Sequence, residues 1–257
     1  MDRSEQKKQY WFVIRELTSR EIKRKYSRSK LGIVWSVLNP LLTMAVLSLI
    51  FSQMFKRSIE NYPIYYLCGY ILWHLFTGAT NAAMTTLVDN KNMLIKVKFP
   101  MQIFVLARVY TAFVNFLYSM IAFGAMICVF RVMPNWTWLF MPFIVLCLLL
   151  FSLGISYILS TAYVFFGDVK HLYGVLLTLW MYMSAIFYPA DQLGGVIEKI
   201  VRNNPIFNYI DCMRSLVLYG ALPSFGEIVR IAIWGIVVYL VGWQVFKKNR
   251  NRIMQKI

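Results

Sequence analysis

Acidic residues are scarce in this chain. It carries 11 Asp and Glu against 27 Lys and Arg, for a formal net charge of +16, and none of its long apolar stretches holds a carboxylate. Ion-coupled carriers and proton pumps generally hold and release the coupling ion on intramembrane carboxylates, so a secondary transporter is disfavoured. No GxxxxGK(S/T) loop is present to cradle a nucleotide phosphate, and no HExxH, GxSxG or interfacial carboxylate cluster occurs. Nucleotide hydrolysis by that route therefore belongs to another protein, and no catalytic residue is assigned. The 4 cysteines show no CxxC spacing, so neither a disulfide framework nor a metal site is indicated. The start, Met1 to Lys8, is polar rather than apolar. No cleavable signal peptide is expected there, and the first span is expected to act as its own anchor.

What the chain has in abundance is apolar surface. It is 59% hydrophobic with a mean hydropathy of +0.57, more than a soluble fold of this length buries. The cations are not spread along folded faces. They gather in the first thirty residues, in the loop from Lys91 to Lys98 and in the tail from Lys247, as the positive-inside rule requires of a membrane protein. Nucleic acid is not the expected partner; membrane lipid is.

The spacing predicts an all-α integral membrane protein, a single transmembrane domain over 1–257. An amphipathic interface helix is expected over 5–29, with Tyr10, Val13, Ile14 and Leu17 on one face. Six spans follow, at 31–55, 64–88, 101–130, 137–166, 172–188 and 228–246, each charge-free or nearly so. Pro40 inside the first span should kink the helix or free a carbonyl. His74 is read as a neutral, hydrogen-bonded group near the outer interface, and Arg108 as a snorkelling cation. Lys56, Arg57 and Glu60 make a short outer loop. Residues 189–226 are too charged to span, and Asn204-Pro205 divides them into two short helices that dip into or lie on the outer leaflet. The basic tail then places both termini in the cytoplasm.

Aromatic residues make up 17% of the chain. They pack helices and fill interfacial belts, or they line a channel with flat, amphipathic faces suited to sugar rings. Both readings stand for Trp35, Tyr66, Tyr70, Trp73, Trp180, Tyr182 and Phe187.

The motifs have an order of their own. Arg20-Glu21-Ile22-Lys23-Arg24-Lys25-Tyr26 is followed by Ser29-x-Leu31-Gly32-x-x-Trp35 and Asn39-Pro40. Later come Lys96-x-Lys98-Phe99-Pro100, Phe166-Gly167-Asp168-Val169-Lys170, Tyr188-Pro189, and Asn204-Pro205 with Asp211 and Arg214. Over almost the whole chain this resembles the polysaccharide-exporting ABC transporter permeases, the type-two exporter subunits that move O-antigens, teichoic acids, and capsular or rhamnan-type polymers. Gly167 departs from the pattern, which usually has Arg there.

The resemblance implies a homodimeric permease in the bacterial cytoplasmic membrane, served by two nucleotide-binding subunits that carry the ATP and Mg. It implies an undecaprenyl-diphosphate-linked glycan as cargo and two re-entrant outer helices between spans five and six. Under it, Arg20, Lys23, Arg24, Lys25 and Arg28 are expected to meet the lipid diphosphate, although topology and anionic phospholipid also account for such a cluster. Lys91, Met93, Leu94, Lys96, Lys98, Phe99, Pro100 and Asp168 are expected to couple to the ATPase. An outer gate is expected from Tyr188, Lys199, Arg202, Asn204, Pro205, Asp211 and Arg214, with Lys199, Arg202 and Arg214 facing headgroups or glycan. The rival readings are a type-two permease for a small drug or lipid, and a membrane scaffold or biosynthetic enzyme without transport.

Overall fold

The computed structural model describes residues 3–27, 29–32, 34–55, 59, 61–96 and 99–257. Arg28, Lys98 and the residues of the expected outer loop, Lys56, Arg57 and Glu60, lie outside the described residues. Within them the chain is all-helical, as expected. The helices are α1 (Arg3–Tyr26), α2 (Val34–Phe55), α3 (Tyr62–Met84), α4 (Thr86–Asp89), α5 (Lys91–Lys96) and α6 (Gln102–Val129), followed by α7 (Met141–Phe165), α8 (Val169–Tyr182), α9 (Gly195–Asn203), α10 (Pro205–Val217) and α11 (Phe225–Lys256).

Among the described residues, four segments are long and apolar enough to cross a membrane: Val34–Phe51, Gln102–Val129, Trp136–Phe165 and Phe225–Lys256. The expected spans at 64–88 and 172–188 are not among them. In α3 the apolar run is interrupted by Tyr62, Tyr65, Tyr66, Tyr70 and His74, whose polar atoms lower its hydropathy. The other, α8, has 14 residues, a rise of about 21 Å where a bilayer core needs about 30 Å.

The first helix packs on α6 through the face its spacing predicts. Leu17 and Thr18 are buried, Thr18 Oγ1 donates to the Ala107 carbonyl at 3.4 Å, and Tyr10 and Trp11 meet Phe99 and Tyr110 edge-on. Pro40 in α2 cannot donate to the carbonyl one turn back, that of Ser36. Ser119 of α6 reaches that oxygen at 3.4 Å, so the missing ladder bond is replaced across the helix pair. Internally, α3 is buried against α6 and α7 through Phe76, Phe104 and Phe151, and Tyr173 of α8 donates to Thr80 at 2.7 Å.

The closest helix pair is α7 with α11. A Cβ on Gly154 would collide with the backbone of Val238, one on Gly242 with the backbone of Gly154, and one on Gly235 would lie 2.8 Å from the Cys147 oxygen. Small residues let helix backbones touch where lipid provides no hydrophobic drive between helices. The last helix begins with a Ser224–Glu227 capping box and runs 32 residues without interruption. Its tail does not leave the protein: Ile253 is fully buried, and Lys256 and Ile257 share a cavity of about 310 Å³ with Lys91 and Gly167.

Candidate functional site

Two polar constellations stand out. The first joins α1 to the short helices α4 and α5 and to the start of α6. Glu21 of α1 pairs with Arg108 of α6, and both side chains are largely buried. Arg108 Nε also donates to Thr86 Oγ1 at 3.2 Å. Arg20 Nη2 donates to Asn90 Oδ1 at 3.0 Å, and Asn90 Nδ2 in turn donates to the Thr86 carbonyl at 2.8 Å. The expected snorkelling of Arg108 is thus corrected: a buried carboxylate within reach holds the guanidinium inward. Arg20 likewise turns to the α4–α5 turn rather than away from the protein.

Around this network, Lys91, Lys96 and Asp168 are exposed, Met93 and Phe99 half-buried, and Leu94 buried. Lys23 lines a groove of about 420 Å³ with Arg20, Met93 and Phe99. Arg24 and Lys25 lie on the other side of α1, along a cavity it shares with α3 and α6. The Pro100 carbonyl accepts from Ile103 N at 3.0 Å and so begins α6.

The second constellation surrounds a break in the helical chain at 183–190. Within it, Ala185 adopts a positive φ of 46°, and its neighbours' carbonyls have no helical ladder. Side chains supply the donors instead. Asn204 Nδ2 reaches the Met183 carbonyl at 2.9 Å. Arg214 donates to Ala185 at 3.0 Å and to Ile186 at 2.9 Å. Tyr62 and Tyr65 donate to Phe187 and Tyr188, each at 2.9 Å. Arg214 also donates to the Tyr65 carbonyl at 3.3 Å and stacks on the Tyr65 ring. Gly69 makes room for it: a Cβ there would lie 3.1 Å from Arg214 Nη2. Irregular backbone persists at membrane depth only when its polar groups are satisfied by protein, and this arrangement meets that condition.

The expectation that Arg214 faces headgroups or glycan is therefore overturned. It is 2% exposed and bonded to main chain, because unladdered carbonyls are the nearest acceptors. Asn204 also has a structural place: its Oδ1 accepts from Trp180 Nε1 at 2.8 Å and from Ile206 N at 3.0 Å, capping α10, with Pro205 in the first turn. Tyr188 donates to the Tyr182 carbonyl. Lys199 remains exposed. Arg202 is exposed but bonded to Glu198 and Asp191, each at 2.7 Å, and the Glu198 hydrogen bond foremost raises its pKa. Asp211 is partly buried one turn before Arg214.

The family model for the ABC-2 type transporter matches residues 13–218. The chain belongs to the ABC-2 type transporter family. That match covers both constellations in this ABC-2 permease, from Glu21 to Arg214, and stops before α11. The chain is 28% identical over 251 residues to the O-antigen export system permease protein RfbA of Myxococcus xanthus, covering 97% of this chain and 96% of that one. It is 27% identical over 240 residues to the RfbA of Klebsiella pneumoniae, covering 93% and 92%. With the polysialic acid transport protein KpsM of Escherichia coli it shares 17% over 254 residues, covering 94% and 95%. These relatives are transport components rather than enzymes.

In the ABC-2 permease the seven aromatics expected along a channel divide. Tyr66 and Trp73 are buried inside the single chain at 1% and 7% exposure, so they pack helices there and line no open surface. Trp35 and Tyr182 are exposed, while Tyr70, Trp180 and Phe187 are half-buried. Sequence reasoning gave no role to Glu21, Thr86, Asn90, Tyr62 or Tyr65. Glu21 had one signal, a lone acid inside a basic run. The tyrosines had none, since their partners are carbonyls more than a hundred positions away.

Proposed function

We propose that this chain is the transmembrane permease of an ATP-driven exporter that moves an undecaprenyl-diphosphate-linked polysaccharide across the bacterial cytoplasmic membrane. The observation carrying this reading is the end-to-end similarity to permeases named for O-antigen export. ABC-2 permeases of exporters work with ATP-binding subunits, and two such subunits, holding ATP and Mg, serve a homodimer of this chain.

In this reading the chain crosses the membrane six times with both termini cytoplasmic. The four long apolar helices are joined by α3, 23 residues long, and by α8 extended through the 183–190 break. The pair α9 and α10 is re-entrant from the outer face and gates the exit. Exposed apolar side chains on α2 and α8, such as Leu49 and Leu179, meet lipid or the second copy, and Trp35 and Tyr182 border the glycan path. The cationic end of α1 attracts the lipid diphosphate by charge-assisted hydrogen bonds. The segment from Lys91 to Pro100 docks on the ATPase, and the Arg20–Asn90 and Glu21–Arg108 contacts carry its displacement into α1.

Depletion of the permease in a host that co-expresses its ATPase tests the reading. Lipid-linked glycan accumulates at the inner face if it is right. Normal surface polymer with efflux of a small drug or lipid lost instead would replace it with the rival.

A further inference from the structure

The inner end of α11 carries Lys247, Lys248, Arg250, Arg252 and Lys256, all exposed, and residues 228–257 contain no Asp or Glu. None of these cations forms an ion pair among the described residues. Lys248, Arg252 and Lys256 repeat every fourth residue, so one face of the helix stacks like charges, which destabilises it unless a partner answers them. Topology alone explains a basic tail, but it does not require the tail to be held in place. This one is held. Phe246 packs on Tyr157 with ring centroids 5.0 Å apart, Ile253 is fully buried, and Ile257 rests on the same core. The cations therefore stand at fixed positions on a packed helix.

Their depth separates two kinds of partner. Residues 228–246 rise about 28 Å, close to the roughly 30 Å of a bilayer core, which in the export reading leaves Lys247 and Lys248 among the headgroups. Lys256 follows about 14 Å further on, past a headgroup layer of roughly 5–8 Å. There it lines the cavity of about 310 Å³ shared with Lys91 of α5 and Gly167. That lining holds the two lysine ammonium groups and no carboxylate side chain. A Cβ on Gly167 would meet nothing within 4 Å, so room is left on that side. The acids close by do not answer the lysines: Asp89 accepts from Thr85 at 2.7 Å, and Asp168 pairs with neither.

We propose that the inner end of α11 is a docking face for the ATP-binding subunit, where Arg252, Lys256 and Lys91 hold an acidic segment of that subunit. The proposal rests on the export reading above. To the docking segment from Lys91 to Pro100 it adds a surface of α11, which lies beyond residue 218, where the family match ends. A carboxylate entering the cavity between Lys91 and Lys256 is taken up by charge-assisted hydrogen bonds. Arg252, one turn before Lys256, offers a bidentate fork to a second acid. Anionic phospholipid offers negative charge too, but its phosphates lie at the level of Lys247 and Lys248.

The test is titration of the purified ATP-binding subunit onto the permease in phosphatidylcholine nanodiscs, with no anionic lipid present. The wild type should bind. Arg252→Gln with Lys256→Gln should weaken the affinity about tenfold, as two exposed ion pairs near the upper end of their usual range would. The difference should shrink as salt is raised, because such pairs are screened. Lys247→Gln with Arg250→Gln removes the same charge from the other side of α11 and should stay within about twofold. Zero-length carbodiimide coupling should join Lys91 or Lys256 to an Asp or Glu of the subunit. The docking face is overturned if the two double variants bind alike, or if coupling occurs only outside α5 and α11. It is also overturned if Arg252 and Lys256 matter only once phosphatidylglycerol is added, which would assign them to the inner leaflet. Wild-type binding that the Arg252 and Lys256 changes leave untouched defeats this proposal and leaves the export reading standing, whereas a wild type that does not bind the subunit defeats both. Should the double variant fold poorly, Lys256→Gln alone, on the exposed last turn, gives the same comparison at about threefold.

Discussion

The guanidinium carbon of Arg214 lies 3.4 Å from the centre of the Tyr65 ring, and no carboxylate forms an ion pair with it among the described residues. Its charge is dispersed over three carbonyls and one aromatic face. A buried cation without a counter-ion is tolerated only when its donors are taken up, and here two of the three carbonyls, those of Ala185 and Ile186, belong to backbone outside any helical ladder. Each side of the contact resolves the other's deficit.

Replacing Arg214 by Gln should therefore destabilise the protein by on the order of 3 kcal/mol, since bonds to a charged donor contribute roughly 1.5–3 kcal/mol each and the freed carbonyls stay buried. Tyr65→Phe, which loses one neutral bond, should cost about 1 kcal/mol. Thermal denaturation in detergent and protease cleavage within 183–204 report both. A stable, uncut Arg214→Gln protein would refute the clamp.

Glu21 and Arg108 form a largely buried pair. Removing Glu21 strands the Arg108 charge, and about 3–5 kcal/mol is the expected cost; removing Arg108 should cost less, because Glu21 keeps Arg20 and Arg24 within 4.0 Å. The exchange Glu21→Arg with Arg108→Glu should recover part of it, and a double-mutant cycle on melting temperature measures the coupling. Additive losses would show that the two residues act independently.

At the α7–α11 crossing, Gly154→Leu and Gly242→Leu force helix backbones apart and should each cost about 3 kcal/mol or more by overpacking. Gly174 in α8 has open space around its missing Cβ, so Gly174→Ala should be neutral or stabilise by up to about 1 kcal/mol. Comparison of the three melting curves decides whether contact or helix propensity governs.

Deleting Met93, Leu94 and Ile95 removes α5, whose Leu94 is buried, and should abolish co-purification of the ATPase while the permease still inserts. Retained assembly would move the docking site elsewhere.

Much of this architecture is legible in the sequence because hydrophobic length and cation placement are local signals. The face of α1 and the helices on either side of Asn204-Pro205 follow from spacing alone. Pro40 announces a freed carbonyl, though not that Ser119 would meet it. What could not be read is long-range. An Arg at 214 in a charged segment looks like a surface cation, and only folding reveals carbonyls 28 and 29 residues earlier as its partners. Tyrosines in α3 look like a sugar-facing stripe for the same reason, while Tyr62 and Tyr65 point their hydroxyls at the broken chain. The shortness of α8 was hidden too, because 183–188 stays apolar after the helix ends.

The unbroken run of α11 has a mechanical consequence. Its beginning at Phe225 follows the α9–α10 pair, its end shares a cavity with Lys91, and near mid-length its backbone touches α7 through Gly242. A stiff rod pinned at its centre behaves as a seesaw: a push on the Lys256 end swings the Phe225 end the opposite way. Spin labels at Gly226 and Gln255 would register that opposed motion during the nucleotide cycle, and a helix that bends at Gly242 would abolish it.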